Sequence, residues 1–189
     1  PCGAVLVEER KIAALMPEAE WTAQAEKADE VIDAEGLMLT PGLIDIHIHG
    51  AAGEDLISGK AEAAEAVSRN VAMDGCTAFM ASLTVVSHER LLEILRGLAA
   101  VADLPGAAML GIHSEGPYLS VDYKALMDER YLRDSSLKEL RELVEAAQGR
   151  LKVMTVAPER AGMNIFIQAA VQAGITVMVG HTNATSTDV

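Results

Sequence analysis

His47 and His49 close the run Pro41-Gly42-Leu43-Ile44-Asp45-Ile46-His47-Ile48-His49-Gly50, in which apolar and polar residues alternate up to a glycine. Alternation with that period belongs to a β-strand, and it puts Asp45, His47 and His49 on one face and Ile44, Ile46 and Ile48 on the other. Two imidazoles on one face can hold one divalent cation. They equally suit the wet side of an edge strand, so the pair by itself leaves both readings open.

Other residues of the same chemical kind recur along the chain. His113 and Glu115 are again two apart in Gly111-Ile112-His113-Ser114-Glu115-Gly116-Pro117, Pro158-Glu159 follow a further apolar run, and His181 precedes Thr182-Asn183. Four of the five histidines therefore fall at the ends of apolar runs, and His88, in a helical stretch opened by Ser87, is expected at the surface. A shared position of this kind favours a metal site over scattered structural histidines. Within it, His113 is expected behind the ligands or on the substrate side rather than among the ligands themselves.

The elements that must position these residues alternate. Apolar strands are predicted at Leu43–His49, Thr77–Thr84, Ala107–Glu115, Leu151–Ala157 and Ile175–His181, with amphipathic helices between them. Ser136-Leu137-Lys138-Glu139 has the spacing of a capping box, and Gly75, Gly149 and Gly174 stand where helices should close in a left-handed residue. Near-continuous apolar runs such as Ala107 to Ile112 indicate a parallel sheet buried on both faces. The fold class is thus α/β, a (β/α) barrel or a doubly wound sheet, with the polar residues at the C-terminal strand ends where barrels build their sites. Residues 1–40 differ: Ala4–Val7, Lys11–Leu15 and Glu30–Asp33 read as three short strands of a small β module, leaving 41–189 as the α/β domain.

Composition narrows the function. The net charge of -13, from 28 acidic and 15 basic residues, and the 3% aromatic content disfavour nucleic acid and anionic membranes as partners. Half the residues are hydrophobic, yet no run approaches the roughly 18 apolar residues of a membrane span, and no signal-peptide layout opens the chain. Two cysteines, Cys2 and Cys76, suit a reducing, cytoplasmic setting and neither is expected to function. A small-molecule enzyme is the leading class.

The Pro41–Gly50 run resembles the first-strand signature of the amidohydrolase superfamily. Gly111 to Leu119, Thr155-Val156-Ala157-Pro158-Glu159 and Gly180-His181-Thr182-Asn183-Ala184-Thr185 resemble, in the same order, the motifs of its N-acetylglucosamine-6-phosphate deacetylase family. That resemblance implies a TIM-type (β/α)8 barrel of the metal-dependent hydrolase kind beside a small β-sandwich. About the first five β/α units and part of the sandwich are represented. It implies metal-dependent removal of the acetyl group from an amino-sugar phosphate, with Glu115 and His181 as ligands of the main site and His47 and His49 serving a second metal. Zinc or ferrous iron, one or two ions per subunit, would suit those donors. A cytoplasmic homodimer of the full-length form is implied as well.

The departures from the family pattern carry their own expectations. Members bear a further metal-binding histidine on the sixth strand, phosphate contacts after it and a catalytic aspartate on the eighth, none of which has a counterpart here, so no catalytic residue is assigned. Asp188 lies only seven residues after His181 and is rejected for that role. Met127 stands where members carry a histidine that helps hold the substrate carbonyl oxygen, and it cannot donate a hydrogen bond. A complete barrel takes about 250 residues, so the 189 present are expected to be a truncated portion with an exposed apolar edge, prone to self-association. The opening at Pro1, inside a strand-like segment, is read the same way. A catalytically inactive remnant or scaffold that keeps a metal site, or another amidohydrolase such as a dihydroorotase-like or amino-acid deacetylase enzyme, are the alternatives.

Overall fold

The structure is a computed structural model describing residues 3–21, 27–34 and 36–188. The chain divides into two compact units, Pro1–Pro41 and Gly42–Val189. Cys2 lies outside the described residues.

In the first unit β1 (Gly3–Glu8) pairs antiparallel with β2 (Lys11–Pro17). Glu9 and Arg10 join them at φ 49° and 65°, the handedness that lets a two-residue turn follow the strands' own twist. A single turn of helix, α1 (Glu18–Trp21), follows. The strand expected at Glu30–Asp33 does not form. Val31 and Ile32 are exposed there, so so short an apolar pair gains no burial by extending.

The second unit is a five-stranded parallel sheet of β3 (Leu43–Ile48), β6 (Cys76–Leu83), β7 (Ala108–Glu115), β8 (Leu151–Val156) and β9 (Thr176–Val179), paired in that order. Between β3 and β6 come a small ladder of β4 (Gly50–Ala51) with β5 (Glu54–Asp55) and then α2 (Ala61–Met73). The remaining crossovers carry α3 (His88–Ala99), α4 (Leu137–Ala146) and α5 (Met163–Gln172). Strand order never reverses, and each helix touches the next, so the helices cover one face in succession. That is the winding of a (β/α) barrel, half of which is formed here, and not that of a doubly wound sheet.

The core lies between sheet and helices. Phe79, Ala81 and Leu83 of β6 and Ile112 of β7 meet Val67 of α2, Ile94, Leu95 and Leu98 of α3, Leu143 of α4 and Phe166 of α5, all with no solvent exposure. Helix ends follow the local signals: Gly75, Gly149 and Gly174 take φ of 80–87°, and the Ser136 hydroxyl accepts the Glu139 N–H. Glu139 does not complete the capping box, because its carboxylate accepts from Tyr118 and Arg133.

Two expectations of burial change. The inner face of the sheet is not closed, so Leu110 of β7 is 50% exposed, and Leu43, Ile44 and Ile46 of edge strand β3 are exposed as well. His88, expected at the surface, is wedged between α3 and α4, its Nε2 2.7 Å from Glu142.

Candidate metal centre

Strand β3 does not keep its alternation to the end. Its pairing with β6 shifts between Asp45 and Ile48, and Asp45 Oδ1 accepts the backbone N–H of His47 at 3.0 Å. The irregularity re-aims the residues after it. Ile48 packs against the core while Ile44 and Ile46 stay exposed, and His47 and His49 turn toward the strand tips. Past the strand, the His49 carbonyl accepts from Leu56 N at 2.8 Å, which fixes the exit turn.

Strand β7 brings Glu115 to the same place. A Cβ at Gly111 would lie 2.9 Å from the Arg150 carbonyl, so this strand reaches its neighbour only with glycine there. Gly116, at φ 93°, then turns the chain out immediately after Glu115. His181 lies two residues beyond β9, in a bend, with φ 50°. Its carbonyl accepts from Ser120 N at 2.9 Å.

Both His49 and His181 are held in the same way. His49 Nδ1 donates to the Ser82 carbonyl at 3.1 Å and His181 Nδ1 donates to the Tyr123 carbonyl at 2.7 Å. A carbonyl can only accept, so each imidazole in its neutral form keeps its lone pair on Nε2. Those two nitrogens face the two oxygens of one carboxylate: His49 Nε2 is 3.1 Å from Glu115 Oε2 and His181 Nε2 is 2.9 Å from Glu115 Oε1. His47 Nε2 lies 3.1 Å from His49 Nε2 and 3.6 Å from Glu115 Oε1.

Lone pairs converging in this manner demand positive charge between them, either a proton or a metal ion. Ligand atoms of His47, His49 and Glu115 all lie within 4.8 Å of one another. Ligands about 2.0–2.1 Å from a tetrahedral cation stand about 3.3 Å apart, close to the 3.1 and 3.6 Å seen here. The residues therefore fit a divalent ion, with His181 reaching the Glu115 oxygen that His49 does not.

The electrostatics agree with that demand. Burial would raise the Glu115 carboxyl, but hydrogen bonds from His49 and His181 outweigh it and hold the group at about 2. The same carboxylate raises His49 above the ordinary histidine value, against desolvation.

His113 is behind this group and takes no part in it directly. Fully buried, it has Nδ1 3.0 Å from Ser82 Oγ and Nε2 2.8 Å from Thr155 Oγ1, and its ring meets the His47 ring edge-on at 5.0 Å. Desolvation, reinforced by the neighbouring histidines, pushes it down to about 4. It is a neutral wedge spanning three strands. Ser82, Thr155 and the Tyr123 carbonyl were not singled out by residue type. The available signal was positional, since Ser82 pairs with His113, and Thr155 with Glu115, across the sheet.

The remaining residues lie elsewhere or are occupied. Asp188 is engaged by Thr185 through its backbone N–H and hydroxyl in an exposed local turn. Met127 sits in the loop before α4, its N–H donating to the Lys124 carbonyl. Cys76 is a half-buried free thiol. No described helix is long and apolar enough to cross a membrane.

The amidohydrolase family profile matches residues 38–184. The chain is 30% identical to the N-acetylglucosamine-6-phosphate deacetylase of Bacillus subtilis over 79% of its own length and 39% of the relative's. It is 28% identical to the N-acetylgalactosamine-6-phosphate deacetylase of Escherichia coli O157:H7 over 82% of its length and 42% of the relative's. The N-acetyl-D-glucosamine-6-phosphate deacetylase of Mycobacterium smegmatis superposes with a TM-score of 0.83 at 27% identity, covering 98% of this chain and 47% of that one. A mutant of that enzyme has been solved in complex with N-acetyl-D-glucosamine-6-phosphate. The chain thus spans less than half the length of these relatives.

Proposed function

The chain belongs to the amidohydrolase family, and from that premise we propose that its strand-tip residues form the metal cradle of a hydrolase that removes the acetyl group from N-acetylglucosamine 6-phosphate. The observation that carries this reading is the pair of imidazoles, His49 and His181, aimed at opposite oxygens of Glu115. His49 faces one oxygen of Glu115, and His181 and, farther off, His47 face the other, a donor set that would hold one or two divalent ions. A divalent ion held there supplies Lewis acidity, polarising an acetamide carbonyl and acidifying water at the site. Zinc or ferrous iron matches the imidazole and carboxylate donors.

The chain's own residues do the positioning. The Ser82 and Tyr123 carbonyls fix the tautomers of His49 and His181, and His113 backs the His47 ring. Proton transfer is assigned to no described carboxylate near the centre, because each is engaged. Glu115 faces the histidines, Asp45 holds the His47 N–H, Asp55 caps Ile57 and Glu159 accepts from Thr182 and Asn183. Met127, which cannot donate a hydrogen bond, favours a second reading, a cradle that retains its cation with little turnover.

The test measures metal content after dialysis, then acetate release from N-acetylglucosamine 6-phosphate and N-acetylgalactosamine 6-phosphate. Metal-dependent release that disappears in Glu115→Gln supports the hydrolase. Bound metal without release favours the second reading, and a chain that takes up no zinc or iron overturns both.

A further inference from the structure

Glu159 follows β8 and has no place among the metal-facing atoms, yet its carboxylate reaches across to the turn that carries His181. Its Oε2 accepts the Thr182 hydroxyl in a short hydrogen bond, and Oε1 accepts the Asn183 backbone N–H at 3.0 Å. Thr182 Oγ1 in turn accepts the Ala184 N–H at 2.9 Å, closing a compact turn. We propose that Glu159 is a positioning residue: it latches the 182–184 turn and thereby holds His181 in the orientation that faces Glu115.

The backbone explains why such a latch is needed. His181 sits at φ 50°, in the left-handed region that a residue with a Cβ avoids unless its surroundings over-determine it. One side of the residue is fixed by the Ser120 N–H on the His181 carbonyl, and the Tyr123 carbonyl fixes the ring. The side following the residue is fixed by Glu159. A carboxylate suits the task because it accepts a hydroxyl and an amide N–H at once from consecutive residues. Hydrogen bonds to the ionised form prevail over its desolvation, so Glu159 remains charged below the usual carboxylate range.

The inference rests on His181 being a cation ligand, and the experiment separates the two ideas. Zinc affinity is measured on the full chain by chelator competition, and the visible spectrum is recorded with cobalt(II), for the wild type, His181→Ala, Glu159→Ala, Glu159→Gln and Thr182→Val. Glu159→Ala is expected to weaken zinc binding about 10- to 100-fold, the usual effect of losing a ligand's support, and His181→Ala to weaken it at least as much. The cobalt spectrum of Glu159→Ala should move toward that of His181→Ala. Glu159→Gln, which still accepts from Asn183, should recover most of the affinity, and combining Glu159→Ala with Thr182→Val should add little, since the two share one interaction. If His181→Ala loses affinity while Glu159→Ala and Thr182→Val keep both affinity and spectrum, the latch is wrong and the centre stands. If His181→Ala binds zinc as the wild type does, the ligand assignment fails and the latch with it. Thr182→Val keeps the carboxylate and the backbone, so the question is still decided should Glu159→Ala fail to fold.

Discussion

At the scale of single residues, the centre is a collection of groups whose protonation the fold has set against its solution tendency. His113 is the clearest, since burial holds it at about 4 against 6.5 when free. Between those values the unfolded chain binds a proton that the native chain refuses, so stability rises with pH through the window. The contribution is complete above 6.5 and is lost as the pH falls toward 4, a difference worth about 3 kcal/mol. Glu115, held at about 2 against 4.5, extends the loss to lower pH, while His49, raised, pulls the other way above 6.5. In chelator, His113→Gln should flatten the dependence of urea-unfolding stability on pH between 4 and 6.5. An unchanged slope would contradict the assignment. Ser82→Ala makes a complementary case: losing the hydroxyl bonded to His113 should cost about 1–3 kcal/mol. Zinc affinity should stay near wild type, because His49 leans on the Ser82 carbonyl and not on its side chain.

At the scale of elements, the outer helices brace the loop that leaves Glu115. Tyr118, three residues on, is fully buried, meets Phe166 of α5 edge-on at 4.6 Å and donates its hydroxyl to Glu139 of α4 at 3.0 Å. Arg133 donates to the same carboxylate at 2.7 Å. Tyr118→Phe keeps the ring and removes the hydroxyl, so thermal denaturation should register a loss of about 1–2 kcal/mol. Phe166→Ala should cost about 3–5 kcal/mol, because it also opens a cavity under the Tyr118 ring. Equal losses from the two would show that the hydrogen bond contributes as much to the brace as the packing does.

At the scale of the whole chain, both edge strands of the described parallel sheet carry exposed apolar side chains. Edge strand β3 exposes Leu43, Ile44 and Ile46 at 62, 56 and 60%, and β9 at the other edge exposes Met178 and Val179. Unpaired strand edges with apolar side chains are templates for association. The net charge of -13 opposes association by repulsion, which salt screens. Sedimentation should therefore show self-association that grows with ionic strength, and the pair Ile44→Lys with Ile46→Lys should reduce it without altering zinc binding. Association that weakens with salt would point to charge pairing rather than the apolar edge.

Sequence by itself determined the alternation of strands and helices, the hairpin of the first unit, the glycines closing the helices and the gathering of His47, His49, Glu115 and His181 at strand ends. Each of these depends on local periodicity or on a backbone conformation only certain residues favour, and both are written in consecutive residues. Tertiary structure alone decided the rest. Strict alternation placed Ile48 with Ile44 and Ile46, but pairing with β6 introduced an irregularity that half-buried it against the core. Val31 and Ile32 read as strand and found no burial, while His88 read as surface and is half-buried against α4. The tautomers of His49 and His181 hang on the carbonyls of Ser82 and Tyr123, groups every residue possesses, so no side-chain pattern could announce them. Residue type says which atoms can bind a cation; only the chain's return, 66 residues after Glu115, brings a lone pair to the carboxylate's second oxygen.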